Sequence, residues 1–239
     1  MTDNIQTRDE KIIEHGFNEL TKMIDGNIEW NIPKFRGIDS DSAGQLFNAI
    51  MQGTIRIVRI ADVPDEALDF LKLYQKSATC SQHKVGAAFF TRDWKIALTG
   101  GFNTTPLNTN SCKDIQLFFQ EHVRRAEDKN PFPVRSVHRV IRDMELHAED
   151  IASRGLLERI DGLGLTGSDI NLLVSHMPCT KCLSNVILKL LAATQDREAY
   201  IGVINVYFLE PWTNSPAEME KALEIIRGNK PRLICHIVI

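Results

Sequence analysis

The chain has 239 residues, of which 43% are hydrophobic and 25% charged, and this length suits one large domain or one domain with an appendage. No apolar run approaches the ~20 residues of a membrane-spanning helix, and the start MTDNIQTRDEKII lacks the apolar segment of a secretory signal, so we expect a soluble, cytoplasmic protein. The net charge of −3 provides no overall attraction for nucleic acid, and the five cysteines are expected to be reduced thiols or metal ligands.

Residues 1–54 are predicted to form an N-terminal helical extension. Apolar residues recur at helical spacing between residues 7 and 25, which predicts an amphipathic helix. A connector interrupted by Gly and Pro follows, and a second helical piece is predicted from Leu46 to Met51. The main domain is therefore expected to begin near residue 55.

Residues 55–239 are predicted to form one α/β domain. A helix that begins after Pro64 leads into two short apolar runs, KVGAAFFT and WKIALTGGF, which predict an antiparallel hairpin. The mixed stretch 107–143 is predicted to be an insertion that shapes a pocket. From His147 onward helices and strands alternate, with strands predicted at INLLVSHM, AYIGVINVYFLE and RLICHIVI and helices at CTKCLSNVILKLLAAT and PAEMEKALEIIRG. This alternation favours an α/β fold.

Two short motifs contain metal-ligating side chains: HAED at 147–150 and PCTKC at 178–182. One imidazole and two thiolates are a known ligand set for catalytic zinc, which leaves its fourth position to water and lowers the pKa of that water. We therefore predict that His147, Cys179 and Cys182 bind one zinc ion. If PCTKC begins a helix, backbone N–H groups and the positive helix end would stabilise both thiolates.

Each motif alone has a simpler interpretation. An isolated HAE is typical of a surface helix, and an isolated CxxC also suits structural zinc or a redox pair. Structural zinc would require a fourth ligand, and the nearest candidate, His176, precedes Pro178 and is predicted to lie on a strand. The order and joint occurrence of the motifs favour a catalytic site. Its proton carrier is predicted to be Glu149, with Glu145 and Asp150 either solvated or supporting the ligands.

The remaining cysteines are less informative. Cys80 and Cys112 have His83 and His138 near them in the sequence, which leaves open a second, structural zinc site, although free cysteines are also commonly buried. Cys235 in LICHIVI is predicted to be a core residue.

From about residue 66 to 210 the sequence resembles the zinc-dependent cytidine and deoxycytidylate deaminase superfamily, most closely its deoxycytidylate branch. Members of that branch show S-x-C-x-R-x-x-V-G-A, G-Y-N-G-x-P, a further cysteine, H-A-E and P-C-x-x-C. This chain has SATCSQHKVGAAFF, GGFNTTP, Cys112, HAED and PCTKC in the same order. The resemblance implies a three-layer α/β/α sandwich around a mixed five-stranded sheet, and assembly into homo-oligomers.

The same resemblance implies an activity and roles for individual residues. The implied reaction is zinc-dependent hydrolytic deamination of a small-molecule cytosine nucleotide, most favourably dCMP to dUMP with release of ammonia. Glu149 is the implied proton shuttle, Asn103 the sugar contact, and Ala148 the donor of a backbone N–H to the base.

The chain departs from the family pattern at the expected arginine, where it has Gln82 and His83. Candidates for a phosphate contact are therefore the nearby Lys84 and the basic residues of the insertion. These are Arg124, Arg125, Arg135, Arg139 and Arg142, of which Arg139 and Arg142 are favoured because they precede the metal helix.

Three other functions stay open at this stage. The same chemistry could act on a base in RNA or DNA, although the negative charge and the aromatic fraction of 7% argue against a nucleic-acid partner. Deamination of a guanine or pterin-like base is the second alternative. A non-catalytic scaffold is the third alternative, and the presence of Glu149 argues against it.

Overall fold

The computed structural model describes residues 38–79, 84–104, 146–211 and 215–239. The helices are α1 (Ser40–Met51), α2 (Asp65–Ser77), α3 (Ala148–Arg159), α4 and α5 (Pro216–Gly228). Helix α4 begins with Thr180–Cys182, continues as a π-helical turn over Leu183–Ile187, and ends with Leu188–Thr194. The strands are β1 (Ile55–Val58), β2 (Gly86–Thr91), β3 (Ala97–Phe102), β4 (Thr166–His176), β5 (Tyr200–Glu210) and β6 (Leu233–Val238).

These strands form one mixed sheet in the order β1-β6-β5-β4-β2-β3. Strands β1, β6, β5 and β4 are parallel, and β2 is antiparallel to both β4 and β3, as the predicted hairpin requires. The expected α/β fold with a mixed sheet is confirmed, but the count of five strands is wrong. The additional strand is β1, which pairs with β6 in the register Ile55↔Cys235. Its four residues are too few for a clear alternating pattern in the sequence.

The sheet separates two hydrophobic clusters, because successive strand residues point to opposite faces. Leu172 of β4 packs in the first cluster together with Leu46, Leu156 and Leu223 of the helices on that face. The second cluster contains Leu173 and the apolar residues of α2. Three layers result, with α1, α3, α4 and α5 on one face of the sheet and α2 on the other.

Helix α1 starts earlier than its apolar pattern predicts. Asp39 caps it, since its Oδ1 accepts a hydrogen bond from the Ser42 backbone N–H at 2.9 Å. Ala43 and Leu46 are almost fully buried in the cluster that α5 also joins. The domain boundary near residue 54 stays a prediction. The helix predicted over 7–25 and the insertion at 107–143 lie outside the described residues.

The start of β4 also differs from expectation, because the predicted strand INLLVSHM begins only at Ile170. Gly164 and Gly167 have φ of +63°, which suits a turn and a bulge. The strand nevertheless begins at Thr166, and its register with β5 shifts twice before Ile170. In the described part of the chain no helix is long and apolar enough to cross a membrane.

His236 of β6 makes the stability of this fold sensitive to acid. The residue is 7% exposed, its ring stacks on Tyr207 with ring centroids 4.4 Å apart, and among the described residues neither ring nitrogen has a hydrogen-bond partner. Burial, and secondarily the charge of Arg56, lowers the pKa of His236 from 6.5 to about 4. In the unfolded chain the His236 ring is therefore protonated below pH 6.5, whereas in the folded chain it is protonated only below about pH 4.

The His236 contribution to the free energy of unfolding is thus fully present above pH 6.5 and is lost as the pH falls from 6.5 to about 4. Between about pH 7 and about pH 4.5 we expect it to decrease by about 2–3 kcal/mol. The variant His236→Phe keeps the stacked ring without the titrating nitrogens and should lack this part of the pH dependence. Urea denaturation of both proteins at the two pH values measures the difference. Equal losses in both proteins would contradict the prediction.

Candidate metal centre

His147 is placed by the contact between the end of β3 and the start of α3. Thr104 and Leu146 form an isolated antiparallel bridge, with N–H to O distances of 3.0 and 2.9 Å in the two directions. Gly101 permits the close packing, since a Cβ there would lie 2.4 Å from the carbonyl oxygen of Ala148. His147 follows the bridge directly and is the N-cap residue of α3.

The two cysteines are placed by the passage from β4 into α4. After β4 ends at His176, the Met177 N–H donates to the carbonyl oxygen of Glu210 at 2.8 Å. Cys179 then caps α4, with its Sγ accepting from the Cys182 backbone N–H at 3.4 Å. The predicted start of a helix at PCTKC is therefore confirmed, and a backbone N–H does donate to the first sulfur.

The structure brings the three predicted zinc ligands together. The donor atoms of His147, Cys179 and Cys182 all lie within 4.8 Å of one another. The separation between Cys179 Sγ and His147 Nδ1 is 3.8 Å, compared with about 3.6 Å for sulfur and nitrogen on one tetrahedral zinc with ordinary bond lengths. Among the described His, Cys, Asp and Glu residues, this group consists of these three. This donor set and spacing fit zinc.

The two sulfurs are unequal in their affinity for a proton. The pKa of Cys179 is lowered to about 4, chiefly by a hydrogen bond from the Cys182 side chain and further by His147. The pKa of Cys182 is raised well above its usual value because its proton is shared with Cys179 and its surroundings are buried. A divalent cation between them replaces that shared proton, as is usual for thiolate sites.

Glu149 lies against this group in the first turn of α3. It is only 4% exposed, and its carboxyl group hydrogen bonds to the side chain of Cys182. Desolvation, and secondarily the negative charge of Cys179, raises the pKa of Glu149. Asp150 instead binds Arg154 through both carboxylate oxygens, at 3.1 and 2.6 Å. Of these two acidic residues, Glu149 is the one beside the metal donors.

Asn103 lies at the end of β3 and joins two chain segments at the site. Its side-chain Oδ1 accepts a hydrogen bond from the Val85 backbone N–H at 2.8 Å, and its backbone N–H donates to the Val85 carbonyl oxygen at 3.1 Å. The residue is 5% exposed. Lys84 is therefore held one residue away from this pairing, with an exposed side chain.

Several predicted residues lie outside the described ranges. They are Glu145, Arg139, Arg142 and the other insertion arginines, together with Cys80, Cys112, His83 and His138. The second zinc site and the arginine contacts thus stay predictions. Cys235 is 1% exposed within the first hydrophobic cluster, as expected for a core residue.

His176 is not among the metal donors, although the sequence makes it the nearest candidate for a fourth ligand. Its Nε2 lies 3.2 Å from Glu210 Oε2, and its Nδ1 lies 3.0 Å from Ser175 Oγ. No local pattern indicates the contact with Glu210, because that residue is adjacent only through the register of β4 and β5.

Comparisons with known proteins agree with this geometry. A family model described as the cytidine and deoxycytidylate deaminase zinc-binding region matches residues 65–193, which is more than half of the chain. The matched range includes the three metal donors and Glu149. No curated protein matches the chain.

Solved structures are similar at low identity. A dCMP deaminase from the cyanophage S-TIM5 in apo form is 19% identical, covering 73% of this chain and 95% of that one, with a TM-score of 0.38. Its complex with dCMP and dUMP has the same identity and coverage and a TM-score of 0.40. A diaminohydroxyphosphoribosylaminopyrimidine deaminase/5-amino-6-(5-phosphoribosylamino)uracil reductase from Thermotoga maritima is 16% identical, covering 72% of this chain and 34% of that one, with a TM-score of 0.38.

Proposed function

The chain belongs to the cytidine and deoxycytidylate deaminase family, and we propose that its substrate is dCMP, which it converts to dUMP with release of ammonia. The observation that carries the proposal is a buried carboxyl group, Glu149, directly beside three convergent metal donors. The preference for dCMP is supported by the order of the motifs SATC, GGFNTTP, HAED and PCTKC, which resembles the deoxycytidylate branch.

The reaction replaces the exocyclic amine at C4 of cytosine by oxygen from water. Zinc held by His147, Cys179 and Cys182 would supply Lewis acidity that makes a water molecule ionise near neutral pH. Glu149 receives the proton of the attacking water on a carboxylate oxygen and passes it to the departing nitrogen. The oxygen adds to C4 first, and the bond from C4 to the exocyclic nitrogen then breaks. One proton of the water leaves with that nitrogen as ammonia, and the other ends on N3 of the uracil ring.

Two further residues are suited to orienting the base and the sugar. Ala148 is the first residue of α3, where a backbone N–H has no acceptor within its own helix and can donate to a ligand. Asn103 is anchored through its Oδ1 to the Val85 N–H, which holds its side chain in a defined orientation for a sugar contact.

The phosphate is proposed to bind near Lys84. A small pocket lies against α5, but it is lined by Met177, Pro178, Cys179, Thr180, Glu218, Met219 and Ala222. That lining offers a carboxylate and no cation, so it does not suit a phosphate. Lys84 carries an exposed ammonium group one residue from the Val85–Asn103 pairing.

A substrate panel tests the proposed function. The zinc-loaded protein is incubated with cytosine, cytidine, deoxycytidine, CMP, dCMP and dCTP, and ammonia is measured. The expected result is the highest kcat/KM for dCMP. Ammonia from none of these compounds would overturn the deaminase proposal, and a preference for deoxycytidine over dCMP would overturn the phosphate contact.

Replacing Lys84 with alanine tests the phosphate contact separately. A hydrogen bond to a charged group is worth about 1.5–3 kcal/mol, so we expect KM for dCMP to increase about 10-fold or more, with KM for deoxycytidine unchanged. The matched control is Lys95→Ala, which removes an exposed lysine that is paired with Asp93 on the hairpin turn. Equal effects on nucleotide and nucleoside in Lys84→Ala would exclude this role.

A further inference from the structure

We propose that His176 is a positioning residue, which sets the loop carrying Cys179 relative to the strand ends that carry Lys84 and Asn103. The inference deepens the proposed function and rests on it for its kinetic consequence. Its structural consequence concerns zinc binding and stands independently of the substrate.

A continuous series of contacts crosses the sheet from β2 through β4 to β5. The Gly86 N–H donates to Ser175 Oγ at 3.2 Å, and Ser175 Oγ lies 3.0 Å from His176 Nδ1. On its other side, His176 Nε2 lies 3.2 Å from Glu210 Oε2. One imidazole ring thus joins the first residue of β2 to the last residue of β5, through β4.

Both ends of this series meet parts of the candidate site. Gly86 follows Val85, whose N–H is bound by Asn103. The backbone carbonyl oxygen of Glu210 accepts the Met177 N–H at 2.8 Å, and Met177 is two residues before Cys179. The intervening Pro178 has no N–H to donate. The Cys179 loop is therefore attached to the end of β5 at Glu210, the residue whose side-chain carboxylate His176 contacts from β4.

The free energy of the His176–Glu210 contact indicates whether it affects the fold or the metal site. The His176 and Glu210 side chains are 19% and 45% exposed, and partly exposed pairs of this kind contribute about 0–1 kcal/mol to global stability. Metal affinity is more sensitive, because loss of supporting contacts around ligands typically weakens binding about 10- to 100-fold. Loss of His176 should accordingly affect the metal site more than the fold.

The test uses zinc affinity, measured by competition with a chelator, and the visible absorption of the cobalt(II)-substituted protein. For His176→Ala we expect zinc binding about 10-fold weaker and an altered cobalt spectrum. We also expect kcat for dCMP about 10-fold lower, with KM within about twofold of the unchanged protein. His176→Gln places an amide near the former Nε2 and should restore much of the zinc affinity through Glu210. The control Arg197→Ala removes a more exposed pair, with Asp161 at 3.4 Å, and should change none of these readouts.

Unchanged zinc affinity and an unchanged cobalt spectrum in His176→Ala would overturn the proposal. If His176→Ala fails to fold, Glu210→Ala tests the same contact from its more exposed partner. Zinc binding about 10-fold weaker is again expected, and unchanged zinc affinity would overturn the proposal. If the unchanged protein deaminates none of the cytosine compounds, the proposed function fails. The two metal readouts would still decide the role of His176.

Discussion

Replacing Glu149 with glutamine is expected to lower kcat by about 10²- to 10⁴-fold, the usual contribution of a positioned acid–base group. The amide has nearly the shape of the carboxyl group, so it should occupy the same buried position beside Cys182. It cannot take a proton from water and deliver it to the leaving amine. Turnover is therefore lost although the metal donors are intact. Ammonia release under saturating substrate measures kcat, and elemental analysis measures zinc.

The neighbouring Asp150 provides a matched control. Asp150→Asn makes the same chemical change one residue further along α3, but this carboxylate binds Arg154 and does not face the metal donors. We expect activity within about twofold of the unchanged protein, since loss of one partly exposed ion pair costs about 1 kcal/mol or less. If Glu149→Gln retained full activity, or if both variants lost activity equally, Glu149 would not be the proton carrier.

Replacing Cys182 with serine is expected to remove both the bound zinc and the activity. A thiolate is one of three donors that lie within 4.8 Å of one another, and a serine hydroxyl is a poor substitute for a soft anionic ligand. We expect zinc affinity to fall by more than about 100-fold, beyond the effect of losing a supporting contact. His147→Ala should give the same result, because both residues complete one coordination sphere.

The control is Cys235→Ala, which removes a buried thiol from the hydrophobic core. This variant should retain one zinc per chain and should lose only the stability expected for a small core truncation. Circular dichroism separates loss of metal from loss of fold. Full zinc occupancy in Cys182→Ser after dialysis against a chelator would show that the ion binds elsewhere.

The sequence determined most of the candidate site because its elements are local. The two cysteines are three residues apart, and a helix start brings their sulfurs together. His147 and Glu149 are separated by one residue at the start of another helix. The hairpin and the alternation of helices and strands follow from hydrophobic spacing of the same short range.

Only the tertiary structure decided the features that depend on strand pairing. Strand β1 exists because Ile55–Val58 lies parallel to β6, and four residues carry too little pattern to predict this partner. His176 binds Glu210, 34 residues away, because β4 and β5 align these two residues. Only the tertiary structure likewise shows that Glu149 is buried, whereas Asp150 is partly exposed and binds Arg154. Local spacing defines which side chains share a helix turn, whereas register between distant strands defines which of them meet.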